Sequence, residues 1–477
     1  MNIRMTVYIL GLLLMFEAVF LAVPSLTAVF YHENQLLMFL GIALFCLIIG
    51  WLMTLAKPEK KTLSAKDGFL IVALSWIVLS AFGALPFYIS GCIPKYIDAL
   101  FESVSGFTTT GASILHEVES LPRSILMWRS FTHWVGGMGV LVFIMAFIPI
   151  SGGQNMYLMK AESPGPSVSK LVPRVRTTAI WLYGIYFALT LLEFVLLAFG
   201  DMTIYEALNI SFATAGTGGF AVTNASLGVY SPYSQIVVTV FMLLFALNFT
   251  SYFLLLKGKP KEACSTEIKV FLGIVFFAIA TITLDIRHLY QTASESMRQA
   301  AFTVSSLISS TGFSTEDFDR WPTYARTLLV ILMFIGACAG STGGGIKVSR
   351  VVIFLKNMHN ELRVMTHPRQ VKRVKVDGHQ VDNEVIRSVY VYLSCYILIY
   401  VVSMIILSLD GYDLTTNFTA VVATFDNIGP GLNLVGPTSN YDIFSDCSKI
   451  TLIFDMLAGR LELFPIVLLL SPATWKK

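Results

Sequence analysis

Four times in this chain a short, half-polar stretch ending near a glycine lies between two apolar runs long enough to cross a bilayer. The copies are FESVSGFTTTGAS (101–113), SFATAGTGGFAV (211–222), VSSLISSTGFST (304–315) and VVATFDNIGPGL (421–432), each about a hundred residues after the last. A bilayer core of ~30 Å takes about 20 apolar residues per helix, so each copy is too short and too polar to cross. Irregular backbone at membrane depth survives only where it is buried in protein or lines a watery path. Four copies of span, half-helix, glycine turn and span therefore describe a pore built by one polypeptide. Composition agrees: 55% of residues are hydrophobic and 13% charged, against roughly 25% charged in soluble domains.

The chain divides at its links. Residues 1–60 form a transmembrane hairpin with expected helices at 6–31 and 35–56. An apolar run beginning at Thr6 without a small-residue cleavage site reads as an anchor helix. Pore repeats follow at 61–150, 151–256, 257–353 and 387–477, with a cytoplasmic linker at 354–386. Expected spans are 68–90 and 124–150, 177–199 and 233–256, 268–288 and 324–353, 387–409 and 448–471. The total is ten crossings and four re-entrant helices, an all-α polytopic membrane protein. Lys57, Lys60, Lys61 and Lys66 in the first link, Lys160, Lys170, Arg174 and Arg176 in the next, and KGKPKEACSTEIK (257–269) are basic. The positive-inside rule makes these faces cytoplasmic, so the pore segments enter from outside. Asp98, Glu102, Asp201, Asp319, Asp413, Asp426 and Asp442 fall on the pore-segment side, where acidic groups at a mouth concentrate cations. In the linker, VKRVKVDGHQV (371–381) carries the Asp-Gly signal of a type I′ hairpin.

A dehydrated cation needs oxygens in place of its water, and backbone carbonyls supply them without fixed charge. Glycine lets the chain leave helical geometry to aim them. Thr110-Gly111, Thr311-Gly312 and Ile428-Gly429 are the expected filter corners. In the second repeat, matching Gly-Phe selects Gly219, whereas matching the preceding threonine selects Thr217-Gly218. The run GACAGSTGGGIKVSR (336–350) holds five glycines, each costing a helix roughly 1 kcal/mol against alanine. Gly340, Ser341, Thr342, Gly343, Gly344, Gly345 and Lys347 there read as a movable plug in the ion path, and the run misses the phosphate-loop pattern. Arg460 lies mid-span near Asp455 and Glu462; it reads either as an electrostatic barrier or as a salt-bridge partner of Asp455 or of a residue on another helix. Glu17 and Glu193 are expected to be satisfied structural groups, and His133 to pack or hydrogen-bond. The six cysteines have no metal or disulfide spacing, and the basic residues form no nucleic-acid face.

SGFTTTGAS, SFATAGTGGF, STGFST, AGSTGGGIKV, FDNIGPGL and DMLAGRLELF together resemble the Trk/Ktr/HKT superfamily of potassium transporters, in its bacterial TrkH-type branch, over nearly the whole chain. The resemblance implies four M1–P–M2 repeats around a pseudo-fourfold axis, a homodimer, and a bacterial cytoplasmic (inner) membrane location. It implies that 340–347 is a gating loop and that Arg460 lines the pore. It also implies a cytosolic TrkA-like ring that carries the nucleotide, NAD or ATP, with K+ as the transported ion. Serine at the first filter position accompanies sodium preference in the plant branch; glycine at all four favours potassium. A voltage-gated channel is disfavoured by the lack of an arginine ladder. An enzyme is disfavoured because no HExxH, no Ser/His/Asp and no paired carboxylates stand out at membrane depth. An ion-coupled (proton or sodium) secondary transporter is the rival reading, and fourfold repetition speaks against it.

Overall fold

The computed structural model describes residues 2–57, 64–139, 175–367 and 373–475. The expected links at 57–68, 151–176 and 354–387, and the second half of the span at 124–150, fall partly or largely outside them. Among the described residues, six helices are long and apolar enough to cross a membrane: Ile3–Phe30, Leu36–Thr54, Lys66–Ile89, Ala179–Ala198, Thr266–Leu289 and Asn383–Asp410. The first two are the hairpin and the other four open the repeats. Large apolar side chains such as Leu37, Phe276, Phe277 and Leu398 point outward, as lipid-facing surfaces require. The hairpin closes at Gly11 and Gly50, where a Cβ on either would stand 2.7 Å from the other's carbonyl oxygen. Small residues allow two backbones to approach this closely.

Four shorter helices, Tyr96–Phe107, Ile204–Gly216, Ala293–Ile308 and Leu414–Phe425, sit inside this shell. Thr203, Thr292 and Asp413 cap three of them by accepting from the amide three residues on, which satisfies part of the exposed first turn. Their C-terminal halves are buried.

The expectation of continuous second spans needs correction. In the second repeat, Pro232–Ala246 and Phe249–Leu256 meet at 90°. In the fourth, Asp446–Arg460 stops and Phe464–Leu470 restarts after Glu462 (φ 54°) and Leu463 (φ 68°). The third breaks, as its glycines suggested, between Thr323–Ile335 and Val348–Thr366. The fourth-repeat break closes on itself, Leu463 N turning back to Ala458 O (2.8 Å) and Glu462 N to Gly459 O (3.1 Å), whereas in the second repeat the 336–347 loop takes up the freed backbone groups. The Phe245 carbonyl accepts from the Thr342 hydroxyl (3.1 Å), the Ala246 carbonyl from the Cys338 amide (3.1 Å), and Phe249 N donates to Gly340 O (3.0 Å). Asn248 caps the new helix through Thr250 N (2.8 Å).

In the linker, Lys375–Val376 pairs antiparallel with His379–Gln380. Asp377 (φ 50°) and Gly378 (φ 79°) supply the two left-handed residues of a type I′ turn.

Candidate ion pathway

All four inner helices end in the same way. The residue after the last helical turn is left-handed although it is not glycine: Thr109 (φ 56°), Thr217 (φ 57°), Ser310 (φ 59°) and Asn427 (φ 54°). The next amide turns back to the helix: Thr110 N to Ser105 O (2.9 Å), Gly218 N to Ala213 O (2.9 Å), Thr311 N to Ser306 O (2.8 Å) and Ile428 N to Ala423 O (2.8 Å). This is the bonding of a Schellman termination. One residue later a left-handed glycine follows in every copy: Gly111 (φ 81°), Gly219 (φ 78°), Gly312 (φ 82°) and Gly429 (φ 97°). The second-repeat ambiguity thereby closes in geometry. Gly219 is the counterpart of Gly111, Gly218 that of Thr110, and Thr217 that of Thr109.

The four corners close on one another. A Cβ on Gly111 would stand 2.0 Å from Gly218 O, one on Gly219 2.1 Å from Thr311 O, one on Gly312 1.9 Å from Ile428 O, and one on Gly429 2.7 Å from Thr110 O. Each glycine thus abuts the carbonyl before the glycine of the next repeat, in the order one, two, three, four and back to one. The carbonyls of Thr110, Gly218, Thr311 and Ile428 share one ring, and their amides are already spent on the helix ends. Gly111, Gly219, Gly312 and Gly429 also line a single cavity of about 150 Å³.

Side chains to which the linear sequence assigned no part in the ring brace it. Glu102 and Arg129 form a buried ion pair (2.6 Å). Glu102 accepts from Ser113 Oγ (3.0 Å) and Ile114 N (3.1 Å), and Arg129 donates to Ala221 O (3.0 Å) while lying 3.6 Å over the Phe220 ring. The pair therefore grips the strands leaving two neighbouring corners. His133, expected only to pack or hydrogen-bond, donates from Nδ1 to Gly106 O (2.7 Å) and accepts at Nε2 from Phe220 N (3.3 Å). Asn427 links the fourth repeat to the first by donating to Thr110 Oγ1 (2.9 Å) and Met456 O (3.0 Å).

At the cavity rim, Asp442 accepts from His116 (3.1 Å) and Lys449 (3.0 Å). Partial burial works against its charge, yet these bonds outweigh it and hold its carboxyl below the usual carboxylate range. Hydrogen bonding from Thr416 does the same for Asp413, which also accepts from Asn433. Three other acids expected on this face are not rim groups. Asp98 is buried against Lys449 (2.7 Å), Glu102 lies behind the ring, and Asp426 is buried at the inner end of its helix, accepting from Tyr396 (2.7 Å). Asp426 is deep because it follows the C-terminal end of its buried inner helix, whereas Asp98, in the first turn of its own, is covered by Lys449.

On the inner side the 336–347 loop packs directly beneath the ring. A Cβ on Gly343 would stand 2.7 Å from Ser309 O and one on Gly344 2.2 Å from Asp426 O, both at inner-helix ends. Gly344 N donates to the Ser310 hydroxyl (2.5 Å). Lys347 turns its ammonium back onto the carbonyls of Gly343 and Gly344, and Gly340, Ser341, Thr342 and Gly345 complete the same loop. Arg460 crosses to it, donating to Thr342 O (2.8 Å), Gly136 O (2.5 Å) and Gly137 O (2.6 Å). It thereby ties the fourth repeat, the loop and the first repeat together. Asp455 accepts instead from Ser403 (2.7 Å), and Glu462 pairs with Arg350. Glu17 and Glu193 depart from expectation: neither oxygen of either carboxyl has a hydrogen-bond partner among the described residues. The Thr214 hydroxyl near Glu193 is already given to Ile210 O.

The model of the TrkH cation transport protein family matches residues 37–477. The Trk system potassium uptake protein TrkH of Escherichia coli is 37% identical over the full length of both chains. The related protein TrkG of the same organism is 32% identical, over all of this chain and 99% of its own. The crystal structure of the potassium transporter TrkH from Vibrio parahaemolyticus superposes with a TM-score of 0.89 at 34% identity, covering all of both chains.

Proposed function

The chain belongs to the TrkH cation transport protein family, and from that premise we propose that it conducts potassium into the cell through the carbonyl ring, under control of the 336–347 loop. The observation that carries this reading is the cyclic contact of four left-handed glycines, each against the next repeat's carbonyl. Four carbonyls held by the backbone alone replace water around a cation without trapping it by fixed charge.

Thr110, Gly111, Gly218, Gly219, Thr311, Gly312, Ile428 and Gly429 form the filter in this reading, with Thr217 setting the turn before it. The loop blocks the exit while Arg460 holds it to both neighbours. The guanidinium adds positive charge on the cytoplasmic side of the ring, a barrier to leak. The membrane is the bacterial inner membrane, with the cavity facing out. A homodimer and a cytosolic nucleotide-binding ring of the TrkA kind belong to the same proposal, with NAD or ATP held by that partner. A coupled secondary transporter is less well supported, because such proteins typically bind substrate between two inverted repeats rather than inside a four-membered ring.

The test is flux of potassium, rubidium and sodium into proteoliposomes, for the native chain and for Gly111→Ser. Potassium-selective flux that the variant degrades supports the filter. Saturating flux that follows a proton or sodium gradient and ignores the variant contradicts it.

A further inference from the structure

One side chain outside the ring holds both ends of the loop. Glu267, in the first turn of Thr266–Ile286, accepts through Oε1 from Ala339 N (2.7 Å) at the loop's start and from Ser349 N (3.0 Å) just past its end. The helix Val348–Thr366 has no side-chain cap of its own, so Glu267 supplies one from another helix. A charged acceptor is favourable at a helix N-terminus. The neighbouring residue is gripped in turn: Thr266 N donates to Asp377 Oδ1 (2.6 Å) at the tip of the linker hairpin. The hairpin is also tied to the loop's outgoing helix, through Lys356 Nζ to Lys375 O (2.9 Å). An extramembrane hairpin, a helix start and both ends of an intramembrane loop thus form one hydrogen-bonded chain.

We infer that Glu267 is the clamp that keeps the 336–347 loop closed, and that the 375–380 hairpin is the handle through which a cytosolic partner releases it. This rests on the reading of that loop as the gate. Displacing the hairpin pulls on Thr266, and the adjacent Glu267 cannot keep both amides as its helix start moves. Losing both bonds loosens the loop's two ends together, whereas the bonds of Cys338, Gly340 and Thr342 to the second-repeat break each hold one point and Arg460 holds only the middle. A protein that docks on the cytoplasmic face therefore needs to move only the hairpin to shift the loop. Glu267 is a positioning residue: it touches the loop and not the ion.

Cys338 provides a native reporter, since it lies in the loop and is fully buried. Labelling by a membrane-impermeant thiol reagent from the cytoplasmic side, read at the Cys338 peptide by mass spectrometry, measures loop release. Potassium flux in the same proteoliposomes measures conduction. Glu267→Ala is expected to raise both by on the order of tenfold, since two charge-assisted bonds are lost. Glu267→Gln keeps an acceptor oxygen and the shape, so it gives a smaller rise; Asp377→Ala gives a rise in labelling too. Unchanged labelling in both Glu267 variants overturns the clamp, and unchanged labelling in Asp377→Ala overturns the handle. Raised labelling with unchanged flux overturns the loop's role as gate while leaving the clamp standing. Thermal unfolding of Glu267→Gln in detergent guards against misfolding: its transition is expected to match the native one, and a collapsed transition with no ordered labelling pattern counts against a dedicated clamp.

Discussion

Replacing Gly312 by alanine adds one carbon, and its position is set by the backbone rather than by a rotamer. That carbon would lie 1.9 Å from Ile428 O and 2.9 Å from Pro430 Cδ, where ordinary contact begins near 3.4 Å. Relief therefore requires the Ile428 carbonyl to move by about 1.5 Å, several times what a soft contact allows. Alanine at a left-handed φ of 82° adds roughly 1–2 kcal/mol of backbone strain. A carbonyl displaced that far leaves three of four in place, and a loss of about 1.4 kcal/mol of differential binding is tenfold in selectivity. Gly429→Ala should be milder, because its Cβ would stand 2.7 Å from Thr110 O and needs about half that shift. The assay is competition of sodium against potassium for rubidium uptake in proteoliposomes, with each variant's folded yield checked by size-exclusion chromatography. Alanine at Gly111, Gly219 or Gly312 is expected to lower the potassium-to-sodium ratio about tenfold or more, and alanine at Gly429 by less. A folded Gly312→Ala with native selectivity, or Gly429→Ala as the most damaging of the four, refutes the ring reasoning.

Three further outcomes follow from the same geometry. Arg460→Gln removes the guanidinium's bonds to Thr342, Gly136 and Gly137 and is expected to raise partner-free potassium flux by about tenfold or more, each charged bond being worth about 1.5–3 kcal/mol; a closed, silent variant counts against the clasp. Arg129→Met leaves Glu102 charged and buried, which should cost about 3–5 kcal/mol of stability; adding Glu102→Gln should restore part of it in thermal unfolding, and a double variant no better than the single contradicts the pair. At the rim, the carboxyl pKa of Asp442 is depressed in the folded chain, so its contribution is present above the unfolded carboxylate value of about 3.9 and is lost as pH falls through the folded value. Hydrogen exchange in 438–445 should stay slow from neutral pH down to about 4 and quicken below it, with Asp442→Asn abolishing the change; quickening near neutral pH would contradict this.

The four-part pore was legible because polar, glycine-ended stretches stand out between apolar runs. The corner of the second repeat was not, since GTGG offers three glycines; only the left-handed Thr217, matching Thr109, Ser310 and Asn427, singles out Gly219. The breaks at 247–248 and 461–463 were masked by the helix formers Leu247, Leu461 and Leu463, although Asn248 as a cap and Pro465 in the first turn of the next helix mark both restarts. At 247–248 what stops the helix is tertiary, the loop's amides and hydroxyl taking the Phe245 and Ala246 carbonyls, whereas at 461–463 Leu463 N and Glu462 N turn back locally to Ala458 O and Gly459 O. Arg129 and Glu102 are 27 residues apart and meet only when the first repeat folds. Glu267 reads locally as an ordinary first-turn acid behind the Ser265 cap, and its real partners lie 72 and 82 positions away. Asp426 was misplaced because adjacency to a pore segment says nothing of depth.

The most direct measurement is anomalous scattering from crystals grown in rubidium or thallium. The expected result is a peak on the axis of the ring, coordinated by the carbonyl oxygens of Thr110, Gly218, Thr311 and Ile428 and reduced in Gly312→Ala. A ring empty of either ion, with the peak instead between helices away from these four carbonyls, would contradict conduction through the glycine corners.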